Sequence, residues 1–227
     1  MPMHSLAALR LMTLMGFLFL TVTGCGQSPL GANLFRAIQY SVAGLPDAPI
    51  NRELVSNLPY ASVAAKIGKG PRSLLILWRK DSIGDLHWVS ADAATLVTRQ
   101  GRVVKTAGFP ENLRDTRFLV SDPVASGLHT LVDRRATSRT MDLDLGNNYG
   151  LIVECEFRVE GEREIEITEI VFQTILVREQ CSASTLNWLF TNLYWVDPTD
   201  GFVWRSRQHI ARSFPPVVIE TLKPAGI

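Results

Sequence analysis

The chain has 227 residues, with 23 basic and 22 acidic side chains and a formal net charge of +1. That balance excludes the basic excess by which nucleic-acid-binding proteins are normally read, so no nucleic-acid partner is expected. A hydrophobic content of 46% supports a real core, and the length suits one all-β domain.

Met1 to Arg10 carries one firm positive charge, Arg10, and no acid, and Leu11 to Val22 is an almost purely apolar run of twelve residues. A bilayer span needs roughly 20 such residues, so a charged start and a short apolar run ending in small residues read as a secretory signal peptide. Val22-Thr23-Gly24-Cys25 fills a lipobox position by position: Leu/Val/Ile, then Ala/Ser/Thr, then Gly/Ala, then Cys. The expectation is cleavage after Gly24, removal of residues 1–24, and diacylglycerol plus an N-acyl group on Cys25. Three acyl chains make a durable anchor, whereas one holds only marginally. Gly26 stands where Asp would favour inner-membrane retention, so the expected location is the periplasmic leaflet of a Gram-negative outer membrane. An ordinary secretory cut nearby, leaving Cys25 as a thiol or disulfide partner, is the bland alternative. Processing takes only Arg10 from the charged residues and leaves 22 basic against 22 acidic.

Residues 25–33 are small and polar and suit a lipidated tether, with one domain following over 34–227. Leu34, Phe35, Ile38 and Val42 predict a helix over Ala32 to Ala43. Gly44 to Pro49 breaks it, and a shorter helix over Asn51 to Asn57 has Asn51 as its N-cap. Strands are predicted at Ser62–Ile67, Ser73–Trp78, Leu86–Ser90, Ala94–Arg99 and Arg102–Thr106, with shorter candidates at Arg117–Val120 and Met141–Leu145. Ser121 to Thr140, polar and holding Arg134, Arg135 and Arg139, reads as a surface excursion with a short helix.

The clearest sheet signal runs from Leu151 to Arg178: alternation is strict over Glu154 to Glu160 and resumes over Glu164 to Ile167, so Glu154, Glu156, Glu164 and Glu166 mark a wet face opposite Cys155, Phe157, Ile165 and Ile167. Gly161 is read as the turn between two strands, and the phase slip near Glu169-Ile170 as a bulge or bend. A last hairpin, Leu189–Val196 and Phe202–Ile210 around Asp197-Pro198-Thr199-Asp200-Gly201, precedes a strand over Val217–Leu222. About ten strands at this spacing indicate a mainly β, antiparallel barrel-like or sandwich-like domain with a short N-terminal helical segment. Leu86-His87-Trp88-Val89-Ser90 echoes Leu193-Tyr194-Trp195-Val196-Asp197, which leaves open two β sub-units, about 58–120 and 141–227.

Chemistry is sparse. The chain has no GxSxG, HExxH, Walker or GxGxxG pattern, so no catalytic residue is nominated. No CxxC or HxxxH occurs either, and no metal site is expected. Cys155 and Cys181 are candidates for a periplasmic disulfide, or else two buried thiols. His87 and His209 are read as structural histidines, and the paired acids Asp142 and Asp144 as a wet strand face. Trp195, Trp204, Arg205 and Arg207 are the candidate contacts for polysaccharide or a protein partner: tryptophans stack on sugars, and guanidinium forks bind carboxylates. The competing reading places the tryptophans in the core and the arginines over the sheet.

The blocks "RELVSNLPYAS" (Arg52 to Ser62), "GPRSLLIL" (Gly70 to Leu77), "GRVVKTAG" (Gly101 to Gly108), "YWVDPTDGFVWRSRQ" (Tyr194 to Gln208) and "LKP" (Leu222 to Pro224) resemble the YjbF/GfcB family of Gram-negative lipoproteins. The resemblance implies a mostly β, barrel-like lipoprotein encoded with exopolysaccharide or group 4 capsule export genes. It also implies outer-membrane and periplasmic export proteins as partners, no established catalytic residue, and lipid on Cys25. Asp200 stands where the family pattern has Thr, while Gly201 keeps the turn's left-handed position. The expected function is therefore non-enzymatic assistance to polysaccharide secretion. The alternative is a lipid-binding lipoprotein with an apolar cavity lined by residues such as Leu75, Leu77 and Phe172.

Overall fold

A computed structural model describes residues 47–131 and 134–226. The lipobox, Cys25, the tether and the predicted helix over Ala32 to Ala43 lie outside them. The first described element is α1 (Arg52–Asn57), capped by Asn51, whose Oδ1 accepts the Leu54 N–H at 2.8 Å.

Twelve strands follow where the spacing suggests about ten. They are β1 (Ser62–Ile67), β2 (Arg72–Lys80), β3 (Leu86–Ser90), β4 (Thr95–Arg99), β5 (Arg102–Ala107), β6 (Leu113–Phe118), β7 (Arg135–Leu143), β8 (Asn148–Ile167), β9 (Ile170–Ala183), β10 (Trp188–Val196), β11 (Val203–Gln208) and β12 (Val217–Lys223). All pair antiparallel in one sheet of order β5-β4-β3-β2-β1-β12-β11-β10-β9-β8-β7-β6. Two meanders, β1 to β5 and β6 to β12, are thus joined where β12 pairs with β1. The sheet's edges, β5 and β6, are consecutive in the chain and meet where Thr106 Oγ1 accepts the Leu113 N–H at 2.9 Å. The result is a nearly closed, barrel-like sheet. Apart from β5 and β6, every pair of consecutive strands is hydrogen-bonded, which makes such a curl accessible.

Two expectations are corrected. The excursion over Ser121 to Thr140 contains α2 (Pro123–Ser126) but also the first half of β7, in which Thr137, Arg139, Met141 and Leu143 alternate inward. Arg139 is 3% exposed, and its charge hid a strand parity that the apolar residues alone mark too sparsely. Gly161 does not turn the chain: β8 runs through it, with the register shift between Val159 and Gly161, and the reversal comes at Thr168 and Glu169, both at positive φ. The roles of bulge and turn are exchanged. A glycine at φ 109° suits a bulge, and a two-residue hairpin turn needs left-handed residues that need not be glycine. In the two echoed stretches the tryptophans point to opposite sides of the sheet: Trp88 faces the interior, donating to Thr98 Oγ1 at 2.8 Å, while Trp195 lies on the outer face.

The interior is filled by one large apolar cluster, including Val63, Leu75, Trp88, Leu96, Val153, Trp188 and Phe190, and a smaller one around Phe157, Val177, Tyr194 and Val196. β8 and β9 outrun their neighbours: β7 pairing ends at Phe157 and β10 pairing at Ile175. Beyond those points they form a two-stranded ribbon, a unit of marginal stability unless it packs on something. The ribbon packs on β11, with the Phe172 ring 4.1 Å from Trp204 and the Glu166 carbonyl accepting from Arg205 Nη2 at 2.7 Å.

Candidate functional site

On the outer face, alternation along β10 and β11 turns Tyr194, Ser206 and Gln208 inward and leaves Trp195, Arg205 and Arg207 outward. Trp195 and Arg205 are cross-strand partners, with the guanidinium carbon 5.8 Å from the indole centroid. Arg205 also joins Arg72 on the Glu220 carboxylate, at 2.7 and 2.6 Å. Trp204 sits at the β10–β11 bulge, wedged between Phe172 and Phe202, and its Nε1 donates to Asp197 Oδ2 at 3.3 Å. Of the four nominated contacts, Trp204 and Arg205 therefore hold the ribbon, whereas Trp195 and Arg207 present their outer surface.

The interior contains a charged cluster that the sequence reading missed. Arg102 on β5, 2% exposed, clamps Asp122 at 2.8 and 2.9 Å and Glu179 of β9 at 3.0 and 3.1 Å, and it donates to the Tyr194 hydroxyl at 3.0 Å. Arg139 reaches Glu179 at 2.7 Å, Asn192 adds a bond at 2.7 Å, and Tyr194 donates at 3.0 Å. Burial alone would raise the Glu179 carboxyl, but Arg102 and Arg139 hold it well below the usual carboxylate range. Burial pushes the Tyr194 hydroxyl up, keeping it a neutral donor. Two guanidiniums against two carboxylates, with no water-exposed member, make a fastening rather than a proton-transfer site.

That cluster closes the sheet where β5 and β6 lack a ladder. Gln208 contributes by accepting the Val103 N–H at 3.0 Å and donating to the Gly101 carbonyl at 2.8 Å, so a β11 side chain satisfies the β5 backbone. Glu179 does carry a legible signal, since it shares its parity with Val177, Cys181 and Ala183. Cys155 and Cys181 are direct cross-strand partners, with Cα atoms 4.1 Å apart, and the structure joins their sulfurs. Arg139 Nη1 donates to Cys155 Sγ at 3.1 Å.

His87 Nε2 lies 3.2 Å from Asp81 Oδ2, and His209 packs on Phe190 with burial and the Arg207 charge pushing its imidazole down. His129 lies against Gly201, where a Cβ would come within 2.2 Å of its Nδ1. Glu154, Glu156, Glu164 and Glu166 are exposed along β8. Asp142 receives a two-pronged bond from Arg117, and Asp144 accepts from Asn112. Leu75 lines a void of about 80 Å³, while Phe172 lies on the ribbon against Trp204. A larger cavity of about 540 Å³ lies between α2, the β10–β11 turn and the ends of β3, β4 and β12, and mixes Leu86, Trp88 and Ile219 with Lys80, Gln100 and Asp200.

Comparison with known proteins matches residues 35–222 to the family model described as "Group 4 capsule polysaccharide lipoprotein gfcB, YjbF". The chain belongs to the YjbF/GfcB family. The uncharacterized lipoprotein YjbF of Escherichia coli K12 is 27% identical over 186 residues, covering 82% of this chain and 85% of that protein. The uncharacterized lipoprotein GfcB of the same organism is 26% identical over 210 residues, covering 91% and 95%. The crystal structure of the hypothetical E. coli lipoprotein YmcC superposes with a TM-score of 0.71 at 24% identity, over 89% of this chain and 99% of that one. The YjbF/GfcB family is thus one of capsule-associated lipoproteins, and its barrel-like β fold is the fold of this chain.

Proposed function

We propose that this protein is a non-enzymatic, lipid-anchored component of exopolysaccharide or capsule secretion, held in the periplasmic leaflet of the outer membrane through Cys25. Its domain docks on an outer-membrane export protein. Family membership over residues 35–222 carries the reading, and the lipobox at Val22 to Cys25 supports it. The anchor confines the domain to the leaflet where such a partner sits, so the effective concentration is high and modest intrinsic affinity suffices. The closed cluster around Glu179 supports a rigid adaptor, since its titratable groups already saturate one another.

In-cell cross-linking followed by mass spectrometry tests the reading. Recovery of an outer-membrane export protein, lost when Cys25→Ser removes the anchor, is the expected result. Recovery of none, with secreted and surface polysaccharide unchanged on gene deletion, overturns it.

A further inference from the structure

The strand registers bring scattered basic residues into one line. Arg158 (β8) pairs with Arg178 (β9), Arg178 with Leu193 (β10), and Leu193 with Arg207 (β11). Arg207 pairs with Val218 (β12), Val218 with Lys66 (β1), and Lys66 with Arg72 (β2). All seven lie on the outer face, five of them cationic, across seven adjacent strands. At about 4.8 Å per strand the row extends about 29 Å.

Like charges directly opposite each other destabilise a sheet, and the row contains that arrangement twice, at Arg158–Arg178 and Lys66–Arg72. The carboxylates beside the row are already held: Asp47 by Lys66, Glu160 by Arg178, Glu220 by Arg72 and Arg205, and Glu156 by Arg134. Arg158 and Arg207 have no carboxylate partner among the described residues. Leu193 and Val218 separate the central cations and offer apolar ground between them.

From this row we infer a binding track for an acid-bearing linear polysaccharide, laid across the strands of the outer face. Its carboxylates meet the guanidinium forks of Arg158, Arg178 and Arg207, and the apolar faces of intervening sugars rest on Leu193, Val218 and the neighbouring Trp195. A row that spans seven of twelve strands in a nearly closed sheet follows the curvature, which suits a flexible chain better than a flat bilayer. The inference rests on the secretion reading and adds the polymer itself as a ligand.

The test uses the lipidated protein in neutral detergent against immobilised polygalacturonate, with neutral dextran as control. Polygalacturonate is expected to bind, dextran not, and binding is expected to weaken as salt rises. Arg158→Glu with Arg207→Glu is expected to weaken binding on the order of tenfold, while Lys105→Glu, exposed on β5 away from the row, leaves it unchanged. Matching thermal melts confirm that the exposed variants fold. Absent polygalacturonate binding, or equal loss in Lys105→Glu, overturns the inference. So does binding only to micelles doped with anionic phosphatidylglycerol, which would make the row a membrane contact. Cross-linking to the export protein that persists in the double variant separates the track from the docking reading, so either can fail alone.

Discussion

Arg102 and Arg139, 2% and 3% exposed, donate to Asp122, Glu179 and Tyr194, whereas Arg158 and Arg207, on the outer face of the same sheet, meet no carboxylate among the described residues. The difference teaches what burial does to a guanidinium. Inside, a charge stripped of water persists only with acids supplied by the fold. Outside, water stabilises it and leaves it free for a ligand.

The comparison breaks most visibly at Glu179. Glu179→Gln leaves two buried guanidiniums short of a counter-charge and should cost about 3–5 kcal/mol in urea unfolding, whereas Glu220→Gln on the outer face should cost about 1 kcal/mol. The same carboxylate sets an acid limit. Because its folded pKa is held below the ordinary value of 4.5, its contribution is present in full above that value and is lost as pH falls beneath it. Urea midpoints measured from pH 7 downward should therefore drop below about pH 4.5 in the native protein, with a shallower decline in Glu179→Gln.

The disulfide comes next. Cys155→Ser with Cys181→Ser opens a 26-residue separation and should lower stability by about 3 kcal/mol, read by calorimetry. Phe172→Ala removes the ring seated on Trp204 and should cost about 2 kcal/mol, with faster amide exchange confined to residues 161–174 if the ribbon loosens alone. Smallest is Arg207→Glu, which should move the melting transition by no more than about 0.5 kcal/mol in stability. A large loss there would show that the outer arginine serves the fold, and the contrast with Arg102 would vanish.

Much of the fold was legible because strand alternation is local. β1 and β3 match their predicted spans, and the wet glutamates of β8 follow from period two alone. The exchange of bulge and turn at Gly161 and Thr168 was not legible, because either assignment preserves the alternation on both sides; pairing with β9 decided it. Arg139 is not legible as an inward residue, because a charge in a polar stretch reads as surface until its partner is known. Trp195 and Arg207 were nominated together and remain available, but Trp204 was recruited by Phe172, thirty-two positions earlier in the chain.

The lipobox and the family resemblance are properties of linear sequence, and so are the strand faces, because a peptidase or an alternating backbone reads residues in order. The closure of the sheet, the pairing of Arg102 with Glu179 across 77 positions, and the alignment of Arg158, Arg178, Arg207, Lys66 and Arg72 into one row belong to the tertiary structure. Register between distant strands is settled by the sum of many side-chain contacts and the turn geometries between them. No window of the sequence contains those terms.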